Sequence, residues 1–197
     1  MASRSNGIFQ FKTTLKATKP PVWRRIQVPG DYTFWDLHVA IQDSMGWLDS
    51  HLHQFEVYNP RKSRMEYIGI PEDELELLSG WKVRIDRFFT PSNSKGIYTY
   101  DFGDDWEHTI VLEKILPRDP QTKYPCCLAG RRKCPPEDCG GTWGYLEFLQ
   151  VVNDPTHEEH ASMLEWCGGS FDPDEFNPKE VVFDDPKERL RYAFGEE

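Results

Sequence analysis

The sequence predicts an α+β fold with a mixed sheet, and three observations carry that prediction. Two alternating apolar/polar runs, a capped amphipathic segment and a third alternating run open the chain in the order β-β-α-β, a β-grasp-like beginning. Two aromatic runs meet at Gly103-Asp104-Asp105, a hairpin signal because Gly and Asp tolerate the positive φ of tight turns. Helical spacing punctuated by Gly-Gly pairs fills the last third.

Taken in order, Ile8 to Ala17 puts Phe9, Phe11, Thr13 and Leu15 on one face and Gln10, Lys12 and Lys16 on the other, a half-buried strand. Lys19-Pro20-Pro21 turns the chain, and Val22 to Val28 alternates again, which makes a hairpin. Thr33 with Asp36 three residues on resembles a capping box, and Phe34, Leu37, His38, Ile41 and Met45 follow at helical spacing up to Gly46. His51 to Tyr58 returns to period two, with His51, His53, Phe55 and Val57 sharing a face. A short strand at Met65 to Ile68, a brief helix near Glu72 to Leu78, a strand at Lys82 to Ile85 and a single turn capped by Asp86 fill the charged middle. Ile97 to Phe102 and Trp106 to Leu112 form the aromatic hairpin. Thr142 is read as the cap of one helix, ended by Asn153-Asp154-Pro155, and Asp154 as the cap of the next, ended by Gly168-Gly169.

At 197 residues, 38% hydrophobic and 14% aromatic, the chain suffices for one sizeable core, so a single domain over 1–197 is expected. Residues 8–115 are mostly sheet with one helix, 141–168 hold two helices, and 169–197 form an acidic tail docked through Phe171, Phe176, Val181 and Val182. Of the net charge of −10, residues from Asp154 onward supply −9 (13 acidic, 4 basic), leaving a nearly neutral body. Duplex binding rests on neutralising phosphates, so nonspecific nucleic-acid binding is disfavoured. Neither a signal peptide nor a membrane span is visible in the sequence, and a soluble cytoplasmic protein is expected.

Four of the five cysteines fall between Tyr124 and Tyr145. In a reducing compartment such clusters serve as metal ligands, redox groups or packed thiols. Cys127, Cys134 and Cys139, with His157 and His160 on a helix, are the candidate zinc ligands, although the spacing is not the paired C-x-x-C of common zinc modules. The Arg131-Arg132-Lys133 run beside them would lower a thiol pKa and favour redox chemistry. His51 and His53, with His108 if the strands are neighbours, form an alternative metal set, against which stands a bland reading as partly buried core histidines. Asp101 and Asp104 beside Trp106 and His108, and Trp23 with Arg24, are candidate binding residues; Asp in a tight turn also has a backbone-bonding role.

The stretches KPPVWRRIQVP, YTYDFGDDWEHTIVLE, CPPEDCGGTWGYLEFL and HEEHASMLEWCGGSFDPDEFNP, in that order, resemble the family named for the third open reading frame of an Agrobacterium root-inducing plasmid. Its members are also labelled passenger TnpR proteins of an insertion element. The resemblance spans roughly Ile8 to Val182 and implies an α+β domain with β-grasp-like elements and no assigned catalytic residues. A serine recombinase needs arginines around its nucleophile and a basic helix-turn-helix, which the acidic C-terminal region does not offer. The function expected is therefore a non-enzymatic binding or adaptor role for a protein or peptide partner, presented on the aromatic hairpin and the cysteine loop. A zinc-dependent hydrolase using the histidines and the Asp cluster is the alternative, and mobile-element nucleic-acid binding the third.

Overall fold

The computed structural model describes residues 7–72 and 77–195. The first two runs form the expected hairpin: β1 (Gly7–Leu15) pairs antiparallel with β2 (Trp23–Pro29), Phe9 opposite Val28 and Phe11 opposite Ile26. Thr33 caps α1 (Phe34–Met45) with a complete capping box: its Oγ1 accepts from the Asp36 amide and Asp36 accepts from the Thr33 amide. Gly46, at φ 89°, closes the helix in the left-handed region that favours glycine. Then follow β3 (His53–Asn59) and β4 (Arg64–Gly69), paired with each other. The next segment differs from expectation. Residues 73–76 of the expected brief helix lie outside the described residues, Leu78–Ser79 form β5, and short 3₁₀ turns at Gly80–Lys82 and Ile85–Arg87 replace the strand expected at Lys82 to Ile85.

The aromatic hairpin is β6 (Lys95–Tyr100) and β7 (Trp106–Pro117), turned through residues 101–105 as expected. An edge strand not anticipated from the sequence, β8 (Cys126–Arg131), opens the cysteine segment and pairs with β2. Among the described residues the sheet is mixed and eight-stranded in the order β5-β4-β3-β6-β7-β1-β2-β8, with only the β4/β5 pairing parallel. The fold class is thus the α+β class expected, but β6 and β7 separate β3 from the first hairpin.

One face of the sheet carries Phe9, Phe11, Ile26, Val28, Phe55, Val57, Tyr98, Ile110 and Leu112 against Phe34, Leu37 and Ile41 of α1. At about 25 cal/mol per Å² of apolar surface, each such side chain contributes about 2 kcal/mol when fully buried. On the other face Arg25 forks onto Glu113 (2.6 and 2.8 Å), which also accepts from Gln10. The C-terminal third holds α2 (Gly141–Asn153), α3 (His160–Trp166) and α4 (Pro186–Ala193). Thr142 lies inside α2, whose N-cap is Gly140. Asp154 closes a local turn by accepting from Thr156, and α3 begins six residues later. The helix at α4 went unread, although Asp185-Pro186 is a start signal: Asp185 accepts from the Lys187 amide with Pro186 at the first turn. Phe171 and Phe183 pack against the core, whereas Val182 stays 77% exposed.

Candidate functional site

Polar chemistry collects at one end of the core face, where the start of β3, the end of β6, the start of β7 and the cysteine loop converge. Strand alternation puts His53 and Tyr100 in one cross-strand pair and Tyr98 and His108 in the next. α1 adds His38 and Gln42 from above. The Gln42 amide donates to Tyr98 Oη (2.7 Å), so the Tyr98 hydroxyl proton goes to His38 Nδ1 (2.8 Å), and His38 donates from Nε2 to Asp49 Oδ1 (2.8 Å). His53 stacks on His38 with ring centres 3.5 Å apart and 9° between planes. Both His53 nitrogens are buried with no hydrogen-bond partner among the described residues, and desolvation, then the neighbouring His38, push its pKa well below the imidazole norm. His108 is fully buried and pushed down to about 4, chiefly by desolvation. Burial raises the Tyr98 and Tyr100 hydroxyls. From α4, Arg189 closes over this cluster, donating to Asp49 (3.2 Å), Asp43 (2.7 Å) and Asp184 (2.6 Å).

Just outside, His51 Nε2 lies 3.0 Å from Asp138 Oδ1 and 3.6 Å from Asp101 Oδ2. Tyr100 Oη accepts from the Ser50 amide and donates to Glu137, which also accepts from the Leu48 amide. The cysteine loop is thereby seated on the hairpin. A Cβ at Gly141 would run into the Asp104 carbonyl oxygen and one at Gly144 into that of Cys139, so these glycines permit the close approach.

The candidate residues are redistributed by the fold. His51 precedes β3 instead of continuing its face, and His53 and His108 stand on β3 and β7 with β6 between them, about 10 Å apart at strand spacing. The set His51, His53 and His108 is therefore not one site. Among the described residues, no three of Cys127, Cys134, Cys139, His157 and His160 bring ligand atoms within 4.8 Å of one another. His157 accepts from the Glu159 amide and His160 bonds the Val151 carbonyl. All five thiols are free, and burial, not the Arg131-Arg132-Lys133 run, governs four of them: Cys126 is raised, Cys127 reaches about 11 and Cys139 about 12, and Cys134 is higher still. That is the opposite of an activated thiolate. The basic run is instead paired to the tail, Arg132 with Asp174 and Lys133 with Glu175.

Trp23 lies on the polar face beneath Lys12 and Arg25, while Arg24 points into the core face, 1% exposed. Its guanidinium donates to Ser44, Trp23 and Arg131 carbonyls and stacks on Phe176 at 3.7 Å. Trp106 is buried, and Asp104 accepts from the Gly140 amide. Asp101 Oδ1 accepts from the Gly103 and Asp104 amides, the turn role, while Oδ2 faces His51. Sequence reading missed His38, Asp49, Tyr98, Glu137 and Asp138; the Pro-Pro-Glu-Asp turn between two cysteines was the one visible signal for the last two.

Comparison with known proteins agrees with this architecture. The chain is 39% identical over 166 residues to the uncharacterized protein y4hQ of Sinorhizobium fredii (strain NBRC 101917 / NGR234), covering 83% of this chain and 82% of that protein. It is 47% identical to a protein of unknown function, MM3350, from Methanosarcina mazei Go1, whose crystal structure superposes with a TM-score of 0.86 over 90% of this chain and 98% of that one. The model of the plasmid pRiA4b ORF-3-like proteins matches residues 7–180, and the chain belongs to that family.

Proposed function

We propose that the chain is a non-enzymatic binding domain that takes an extended segment of a partner protein along β8. The supporting observation is the outer edge of β8: the strand ends the sheet, and no strand among the described residues pairs with that edge. An unpaired edge offers a ladder of amides and carbonyls to an added strand. Beside it runs a groove of about 840 Å³ between Tyr124–Cys127 and the tail wall Val181–Pro186. Val181, Val182 and Phe183 favour apolar side chains, and Lys179 favours a flanking carboxylate. The aromatic hairpin drops out of the expected surface because Tyr98, Tyr100 and Trp106 are buried.

Metal-dependent hydrolysis is a second reading, favoured by the imidazole and carboxylates around His51. Nucleic-acid binding gains little from Lys62 and Arg64, which pair with Glu66, or from Arg132 and Lys133, which pair with Asp174 and Glu175. The test is selection of displayed peptides on the full chain followed by amide exchange of the complexes. Selected peptides are expected to protect Cys126–Arg131, and Val182→Asp to weaken them about tenfold, the scale of one lost apolar anchor. Protection confined to other segments, or affinity indifferent to Val182→Asp, would overturn the reading.

A further inference from the structure

We infer that His51, Asp101 and Asp138 form a binding site for a first-row divalent cation of the zinc or manganese class, with water completing its shell. The inference is independent of peptide docking on β8, and metal-dependent hydrolysis would rest on it.

Spacing is the first support. Ligand atoms held about 2.1 Å from one ion lie about 3.0–3.4 Å apart in octahedral or tetrahedral arrangements. His51 Nε2 stands 3.0 Å from Asp138 Oδ1, inside that range, and 3.6 Å from Asp101 Oδ2, just beyond it, and all three atoms lie within 4.8 Å of one another.

Unmet bonding is the second. The His51 side chain is 31% exposed, but its Nε2 is itself out of contact with solvent and, among the described residues, makes no aligned hydrogen bond despite the carboxylates beside it. An ordinary imidazole–carboxylate pair would align at 3.0 Å.

Charge is the third. Asp101, Asp104, Asp105, Glu137 and Asp138 gather where the hairpin turn meets the cysteine loop, and no Lys or Arg among the described residues forms an ion pair with any of them. Elsewhere Glu113, Glu66, Asp86 and the carboxylates around Arg189 are paired with arginine or lysine, whereas others, such as Asp36 and Glu56, stand singly; here five gather at one place.

The supports of a ligand shell are also present. Asp101 is fixed through Oδ1 by two amides while Oδ2 faces His51, the kind of outer bonding that orients a metal carboxylate. Asp138, 70% exposed, opens one side to water. One imidazole with two carboxylates suits Zn²⁺ or Mn²⁺ better than Ca²⁺ or Mg²⁺, which prefer oxygen alone. The buried set His38, Asp49 and His53 is similarly close but does not fit an ion. Its parallel stacked rings aim their lone pairs side by side, both His38 nitrogens are engaged, and Arg189 already neutralises Asp49.

The experiment is titration of the chelator-treated full chain with MnCl₂, read by loss of the free-ion paramagnetic resonance signal, and with ZnCl₂ by calorimetry. Manganese is used because thiols compete poorly for it. Binding of one Mn²⁺ per chain is expected. His51→Ala and Asp138→Asn should each weaken it about tenfold or more, while Cys134→Ser and His157→Ala leave it unchanged. Asp138→Asn alters an exposed side chain outside the core, so its effect is read on a folded protein; Asp101 is left intact because it also builds the turn. Absence of Mn²⁺ and Zn²⁺ binding at millimolar metal, binding indifferent to both substitutions, or binding lost only with the cysteine change would each overturn the assignment.

Discussion

Arg24 illustrates how a side chain that reads as surface becomes part of the core. In sequence it sits in a basic pair beside Trp23, an anion or stacking site in prospect. Alternation along β2, however, turns it toward α1, where it donates to the Ser44 carbonyl near the helix C-terminus, a favourable place for a cation. Burial lowers its pKa, and three carbonyls with the Phe176 ring take the place of water. Arg24→Met keeps most of the packing but leaves buried carbonyls without donors. It should cost roughly 2–4 kcal/mol, measured as a lower urea midpoint at unchanged slope. Nucleic-acid affinity is not the property this substitution is expected to change. The residue's neighbours in sequence gave the wrong environment because its partners are 20 and 107 positions away.

At the scale of elements, local signals worked where the chain makes its own contacts. The Thr33/Asp36 box, the Gly46 stop and the turn after Tyr100 are satisfied within a few residues, so each was legible. β8 was not, because Cys126–Arg131 lacks strong alternation and is held as a strand by pairing with β2. α4 owes its position to Arg189, which spans Asp43 at the end of α1, Asp49 in the following loop and Asp184 before its own helix. Arg189→Ala leaves Asp43 and Asp49 without their cation, and desolvation already raises the Asp43 carboxyl. A loss of about 2 kcal/mol is expected, with amide exchange in Pro186–Ala193 approaching unprotected rates while β1 and β7 stay protected.

At the scale of the whole molecule, His53 and His108 make stability depend on acid. Both have folded pKa values below the unfolded value of 6.5, His108 at about 4. Below 6.5 the unfolded chain binds protons that the folded chain refuses. Their contribution is therefore intact above that pH and is lost as pH falls toward the folded values. His108 should account for roughly 2 kcal/mol between pH 7.5 and 5, and His53 acts in the same direction. His53→Phe, which keeps a ring against His38, should make stability less dependent on pH below 6.5; urea unfolding at several pH values measures it, and an unchanged dependence would mean His53 protonates in place. The α+β class, the first hairpin, α1 and the aromatic hairpin were legible in the residues, because period, caps and turn residues act over short spans. The sequence also marked His51 and Asp101 as chemistry-bearing residues. Which of them meet was set by the chain's long-range packing: it parted His51 from His53 and His108, kept the thiols from forming a shared ligand set, and brought Asp138 from the cysteine loop to His51. Strand order and loop docking set those meetings through contacts tens of residues apart, and no local pattern encodes a partner that distant.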